Sequence, residues 1–101
     1  MKYKLTSNTK VINGITFYKI IALKSFGYVN KGDLGGWVQK ESNLSQEGDA
    51  WVSGDARVSG DARVSGNARI SGNAWVYEGA QVSGNAWVSG NARVFGYAII
   101  Y

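Results

Sequence analysis

Residues 48–101 read GDAWVS GDARVS GDARVS GNARIS GNAWVY EGAQVS GNAWVS GNARVF GYAIIY. A large aliphatic residue recurs every sixth position, at Val52, Val58, Val64, Ile70, Val76, Val82, Val88, Val94 and Ile100. An alanine sits two residues before each, from Ala50 to Ala98, without a gap. A repeat this strict takes precedence over local propensity. An amphipathic helix needs apolar residues at spacings of three, four and seven, so a period of six gives it no stripe. A short strand followed by a tight corner does fit. In Arg57-Val58-Ser59 the valine points to one side and its neighbours to the other. The Gly-Asn/Asp pair then supplies a corner that tolerates positive φ. In one repeat, Glu78-Gly79, the glycine moves one place later. That shift assigns the left-handed conformation to the Asn/Asp slot and predicts a distorted last corner at Tyr97.

The pattern aliphatic-x-x-x-small-x resembles the hexapeptide repeat of left-handed parallel β-helices. In that family three hexapeptides close one triangular coil, so residues three repeats apart stack. The left hand rests on the resemblance alone, since parallel crossovers are otherwise right-handed. Bactofilin-like right-handed β-helices are the alternative. The register is visible from Val38, through Ser42 in the small slot to Leu44, with further residues inserted near Gln46-Glu47. The expected fold is all-β: a left-handed parallel β-helix over residues 37–101, with roughly three to four triangular coils. The stretch GDLGGWVQKESNLSQEGDAWV (residues 32–52) resembles the lead-in of small hexapeptide-repeat proteins of bacteriophages and prophages.

Residues 1–36 read as an N-terminal cap and lead-in. Lys10-Val11-Ile12 and the run Ile15 to Leu23 flank Asn13-Gly14, a strong hairpin turn. An antiparallel hairpin there would cover strand edges that otherwise invite aggregation. All seven lysines lie in residues 1–40, against one aspartate, and all four arginines lie beyond. The basic cap makes Lys2, Lys4, Lys19 and Lys24 candidates for contact with an acidic partner. Protection of strand edges is the competing role.

Stacking three repeats apart places Trp51, Arg69 and Trp87 on one face, Trp37, Arg57, Trp75 and Arg93 on the next, and Arg63, Gln81 and Ile99 on the third. Two faces thus alternate Trp and Arg, close enough for guanidinium–indole contact. Such ladders stabilise a parallel sheet, and they also present the residue types enriched at binding hot spots. Tyr77 and Phe95 replace serine beside Trp75 and Arg93, so Arg57, Trp75, Tyr77, Arg93 and Phe95 form the candidate partner-binding face. Tyr97, Ile99, Ile100 and Tyr101 are candidates for an interface between copies of the chain.

Enzymes of this fold, acyltransferases and γ-class carbonic anhydrases, depend on histidine as base or zinc ligand. This chain has no histidine and no cysteine. No catalysis, cofactor or metal site is expected. With no apolar run long enough to span a bilayer and no signal-peptide pattern, a cytoplasmic protein is expected. The expected function is non-enzymatic binding of a host component, a protein or protein complex, with counter-defence inhibition implied by the phage-type resemblance. A nucleotide or nucleic acid is a second partner class, because Trp and Arg can stack bases and pair phosphates. A self-assembling structural or virion-associated homo-oligomer is the alternative. A DNA mimic is excluded by a net charge of +4.

Overall fold

A computed structural model describes residues 1–101. Strands β1 (Tyr3–Ile12) and β2 (Ile15–Ala22) form the hairpin. Asn13 and Gly14 both take positive φ, 52° and 80°, which closes a tight two-residue turn with Ile12 opposite Ile15. β1 is a single strand whose register slips between Leu5 and Thr9.

From β3 (Leu34–Val38) the chain climbs in coils. Nine two-residue strands follow: β4 (Trp51–Val52), β5 (Arg57–Val58), β6 (Arg63–Val64), β7 (Arg69–Ile70), β8 (Trp75–Val76), β9 (Gln81–Val82), β10 (Trp87–Val88), β11 (Arg93–Val94) and β12 (Ile99–Ile100). Every third strand pairs in parallel, giving the stacks β3-β5-β8-β11, β4-β7-β10 and β6-β9-β12. A bridge from Leu44 to Val64 extends the third stack downward. The result is an all-β solenoid of parallel coils, as the six-residue period requires.

The hairpin joins the lower end of this stack. β2 pairs antiparallel with β3, so the hairpin widens one face into a six-stranded sheet, β1-β2-β3-β5-β8-β11. The expected boundary between residues 36 and 37 falls inside β3. Gly35 and Gly36 make that join possible. A Cβ on Gly36 would stand 2.7 Å from the Ala56 carbonyl oxygen and from the Val52 side chain.

The core is three aliphatic columns: Val38-Val58-Val76-Val94, Val52-Ile70-Val88 and Leu44-Val64-Val82-Ile100. Alanines from Ala50 to Ala80 fill the space beside them and are fully buried. The core loosens upward: Val88 and Val94 stay buried, Ile100 is half-buried, and Ala92 and Ala98 are exposed.

The corners correct one expectation. Positive φ belongs to the glycine slot, not the Asn/Asp slot: Gly48, Gly54, Gly60, Gly66, Gly72, Gly84, Gly90 and Gly96 all lie between 61° and 71°. From Ala56 onward each Ala N–H bonds back across the corner to the carbonyl three residues before it, as Ala56 does to Ser53 at 3.2 Å. Positive φ at the first central residue alone is the turn class that favours glycine there. Glu78 holds the glycine slot in the irregular repeat and adopts φ 59°. Its carboxylate accepts a hydrogen bond from the Gly96 amide one coil above (3.0 Å).

The shifted glycine has a second use. A Cβ on Gly79 would stand 2.9 Å from the Tyr97 ring. Gly79 therefore makes room for Tyr97 in the next coil, and the corner at Gly96 keeps an ordinary φ of 69°. The two irregular repeats accommodate each other, so no distortion is needed at Tyr97.

Candidate functional site

The widened sheet carries one outer row of alternating cations and rings. Lys10 lies opposite Phe17 across the hairpin and Lys19 opposite Trp37 between β2 and β3, and Arg57 and Trp75 continue the row upward. The ammonium groups of Lys10 and Lys19 stand 4.2 Å and 5.0 Å from the Trp37 ring centre. The Arg57 guanidinium stands 4.4 Å from Trp75 and 5.8 Å from Phe17. Burial holds the Lys10 pKa below the usual lysine range. The Trp/Arg alternation legible in the repeats thus continues into the hairpin, where lysines take the cation positions. Trp37, at its centre, is buried, and its indole N–H has no partner.

The upper part of this row is open. The Trp75 indole donates to Ser59 Oγ at 3.0 Å, which fixes its plane. Tyr77 stands 4.3 Å from Trp75, and Phe95 stacks on Tyr77 at 5.3 Å with planes only 16° apart. Phe95 is about half exposed, Tyr77 is half-buried and Arg93 is exposed. The five residues of the candidate face, Arg57, Trp75, Tyr77, Arg93 and Phe95, are therefore adjacent on one surface.

The basic cap is different. Lys2 is buried, not displayed: its ammonium donates to the carbonyls of Ala50 (2.8 Å), Gly48 (3.3 Å) and Glu47 (3.5 Å). Desolvation lowers its pKa to about 8, with Asp49 opposing and Lys24 reinforcing the shift. Lys19 is half-buried and donates to the Gly35 carbonyl (2.8 Å). Only Lys4 and Lys24 of the four are exposed. The reason is the open underside of the lowest coil, whose carbonyls need donors.

Three further side chains fasten the base of the stack, and their role could not be read from periodicity. Gln46 Oε1 accepts from the Lys2 and Tyr3 amides (2.8 and 3.2 Å). The Tyr3 hydroxyl reaches the Glu41 carbonyl at 2.6 Å and also the Leu44 carbonyl. Buried Asn43 accepts from the Gln39 and Lys40 amides and donates to the Gly60 and Ala62 carbonyls.

Tyr97, Ile99 and Tyr101 are well exposed, and Ile100 is half-buried. A surface missed by the sequence reading lies on the face β4-β7-β10. The irregular segment after β2 brings Gly27 and Tyr28 over that sheet and walls a groove of about 800 Å³. Arg69 projects into it between Tyr28 (3.7 Å) and Trp87 (5.5 Å). Tyr28 has no periodic signal, so only the folded chain brings it to Arg69.

Residues 50–66, 62–78 and 86–101 match the YdcK beta solenoid repeat, and the chain is similar to that family over those stretches. No curated protein matches the chain. No helix is long and apolar enough to cross a membrane. The repeat match and the stacked parallel coils together make this a repeat β-helix protein.

Proposed function

We propose that this chain is a non-enzymatic binding protein that grips a partner protein through the upper part of its widened sheet. The observation that carries the reading is the continuous stack Trp75–Tyr77–Phe95, flanked by Arg57 and Arg93. The parallel ladder beneath is already hydrogen-bonded, and six of the nine repeats place serine where Tyr77 and Phe95 stand. Rigid rings beside arginines are the groups that dominate protein interfaces when a partner desolvates them. The lower part of the same row, from Lys10 to Trp37, serves stability, because its rings are already covered. The absence of histidine and cysteine removes the bases and ligands on which the known enzymes of such folds depend. The phage-type lead-in at residues 32–52 supports a host-cell component as the partner, met in the cytoplasm, with inhibition of a host defence as the outcome.

The test replaces Tyr77 and Phe95 with the serine of the repeat. Tyr77→Ser/Phe95→Ser is expected to fold as the wild type does. It should lose a protein that the wild type captures from host lysate and retains on purified, reconstituted components. Capture of the same protein with unchanged affinity refutes the assignment of this face.

A further inference from the structure

The groove over β4-β7-β10 has the features of a small-ligand site, on a different face from the partner surface proposed above. Its volume, about 800 Å³, is within the range of sites that enclose small molecules. Two rings line it without being buried: Tyr28 is 84% exposed and Trp87 68% exposed. Both are held in place. Tyr28 lies against the Arg69 guanidinium, and the Trp87 indole donates to Ser71 Oγ at 3.4 Å.

Arg69 is the decisive group. It is half-buried, its planar guanidinium is bracketed by two rings, and it makes no ion pair and donates no side-chain hydrogen bond within the chain. A guanidinium fixed by stacking keeps its in-plane N–H groups free for bidentate capture of a carboxylate or phosphate. The carboxylates of the groove do not compete for it. Asp33 accepts from the Asn30 amide (2.9 Å), and Asp49 acts on the buried Lys2 ammonium. At the rim, Asn67 donates to Asn85 (3.3 Å), which leaves an amide N–H of Asn85 and an acceptor lone pair of Asn67 unused.

We infer that this groove binds a small ligand with one planar ring and one anionic group, the ring stacking on Trp87 or Tyr28 and the anion held by Arg69. A nucleoside monophosphate has this chemistry, and so does an aromatic carboxylate. A neutral sugar would use the rings and amides but leave the guanidinium unpaired, which is why the anion is assigned.

The experiment titrates the full chain with each of the four ribonucleoside 5′-monophosphates, the matching nucleosides, benzoate, inorganic phosphate and a neutral oligosaccharide. Heat is read by calorimetry, and the indole N–H signals of the four tryptophans are read by NMR. At least one monophosphate, or benzoate, should bind saturably and move the Trp87 signal while leaving that of buried Trp37 in place. The nucleoside lacking phosphate should bind about tenfold or more weakly, since a charge-assisted pair is lost. Arg69→Gln should erase that difference. Tyr28→Ala, in the segment outside the coils, should weaken both ligands without altering the melting temperature. Benzoate binding without any monophosphate would name a carboxylate as the anion. The inference is overturned if no planar anion binds by concentrations on the order of 10 mM. It is equally overturned if nucleoside and monophosphate bind alike, if binding survives Arg69→Gln unchanged, or if the neutral oligosaccharide alone binds.

Discussion

Tyr3→Phe removes one oxygen from the underside of the solenoid and should cost much of the molecule's margin of stability. The Tyr3 side chain is fully buried. Its hydroxyl is shared by the carbonyls of Glu41 and Leu44, two acceptors at the bottom of the first coil with no strand beneath them. Phenylalanine keeps the ring and its edge-on contact with Trp51, whose centre is 6.4 Å away. What is lost is the donor to the buried Leu44 carbonyl, which costs about 1–3 kcal/mol; the Glu41 carbonyl still accepts from the Leu44 amide (3.3 Å). For a chain of 101 residues, an unfolding entropy of roughly 2.1 cal/mol/K per residue makes each kcal/mol worth about 5 °C. The melting temperature followed by circular dichroism at pH 7 should therefore fall by about 5–15 °C. Exposed Tyr28→Phe serves as the control and should change little. The pH profile gives a second reading. Burial, reinforced by the Glu41 charge, raises the Tyr3 pKa well above the ordinary tyrosine range. The folded state then keeps a proton that the unfolded chain releases near pH 10, so wild-type stability falls as pH rises past 10. Tyr3→Phe should lack that part of the alkaline loss. A shift of less than about 2 °C, with an unchanged alkaline limb, would refute the view that side-chain donors close the base of the stack.

Lys2 has the opposite sign. Its folded pKa of about 8 lies below the ordinary lysine value of 10.5. Between these values the unfolded chain binds more protons, so its contribution makes stability rise with pH from 8 towards 10. Lys2→Met should flatten that rise, and melting curves at pH 8, 9 and 10 would show it. Gly66→Ala should destabilise by about 1–3 kcal/mol, because φ is 65° and the new Cβ would stand 2.8 Å from the Gly84 nitrogen, whereas Asn67→Ala should stay within about 1 kcal/mol. Equal effects at the two sites in urea denaturation would return the left-handed residue to the Asn slot. Self-association of the 101-residue chain through Tyr97, Ile99, Ile100 and Tyr101 predicts a concentration-dependent sedimentation coefficient that Tyr97→Ser/Ile99→Arg abolishes; a clean monomer at micromolar concentration counts against it.

The repeat was legible because each of its demands falls on the side chain that shows it. Val58, Val76 and Val94 had to share a column once the period was six, and Trp37 had to lie beneath Arg57. The errors came where two chemistries satisfy one local pattern. Glycine and Asn/Asp both accept positive φ, so the Glu78-Gly79 irregularity pointed to the wrong slot. In the folded chain Glu78 tolerates its φ of 59° beside a hydrogen bond to the Gly96 amide, while Gly79 yields space to Tyr97. Both compensations come from the coil above, which local propensity does not register. Lys2 misled for a related reason: a lysine near an end reads as surface charge, yet a solenoid's lowest coil exposes carbonyls that an ammonium can satisfy. Gln46 looked like an inserted residue and instead binds the Lys2 and Tyr3 amides, and Asn43, at an ordinary repeat position, donates to the Gly60 and Ala62 carbonyls.

The candidate sites divide along the same line. Arg57, Trp75, Tyr77, Arg93 and Phe95 were found because each occupies a repeat position, so their neighbours follow from counting. The Arg69 groove was missed because Tyr28 belongs to no repeat and reaches the coils only through the segment that follows β2. A strictly periodic surface presents similar residues to every partner, one layer after another. An aperiodic residue laid across it makes one layer unlike the rest. In both layers where an arginine lies beneath a tryptophan a buried tryptophan lies lower still, but Arg57 also approaches the buried ring of Phe17 (5.8 Å), whereas Arg69 approaches the exposed ring of Tyr28 (3.7 Å). The same pair therefore has a buried aromatic neighbour in one place and an exposed one in the other, and the difference is set by residues outside the repeat.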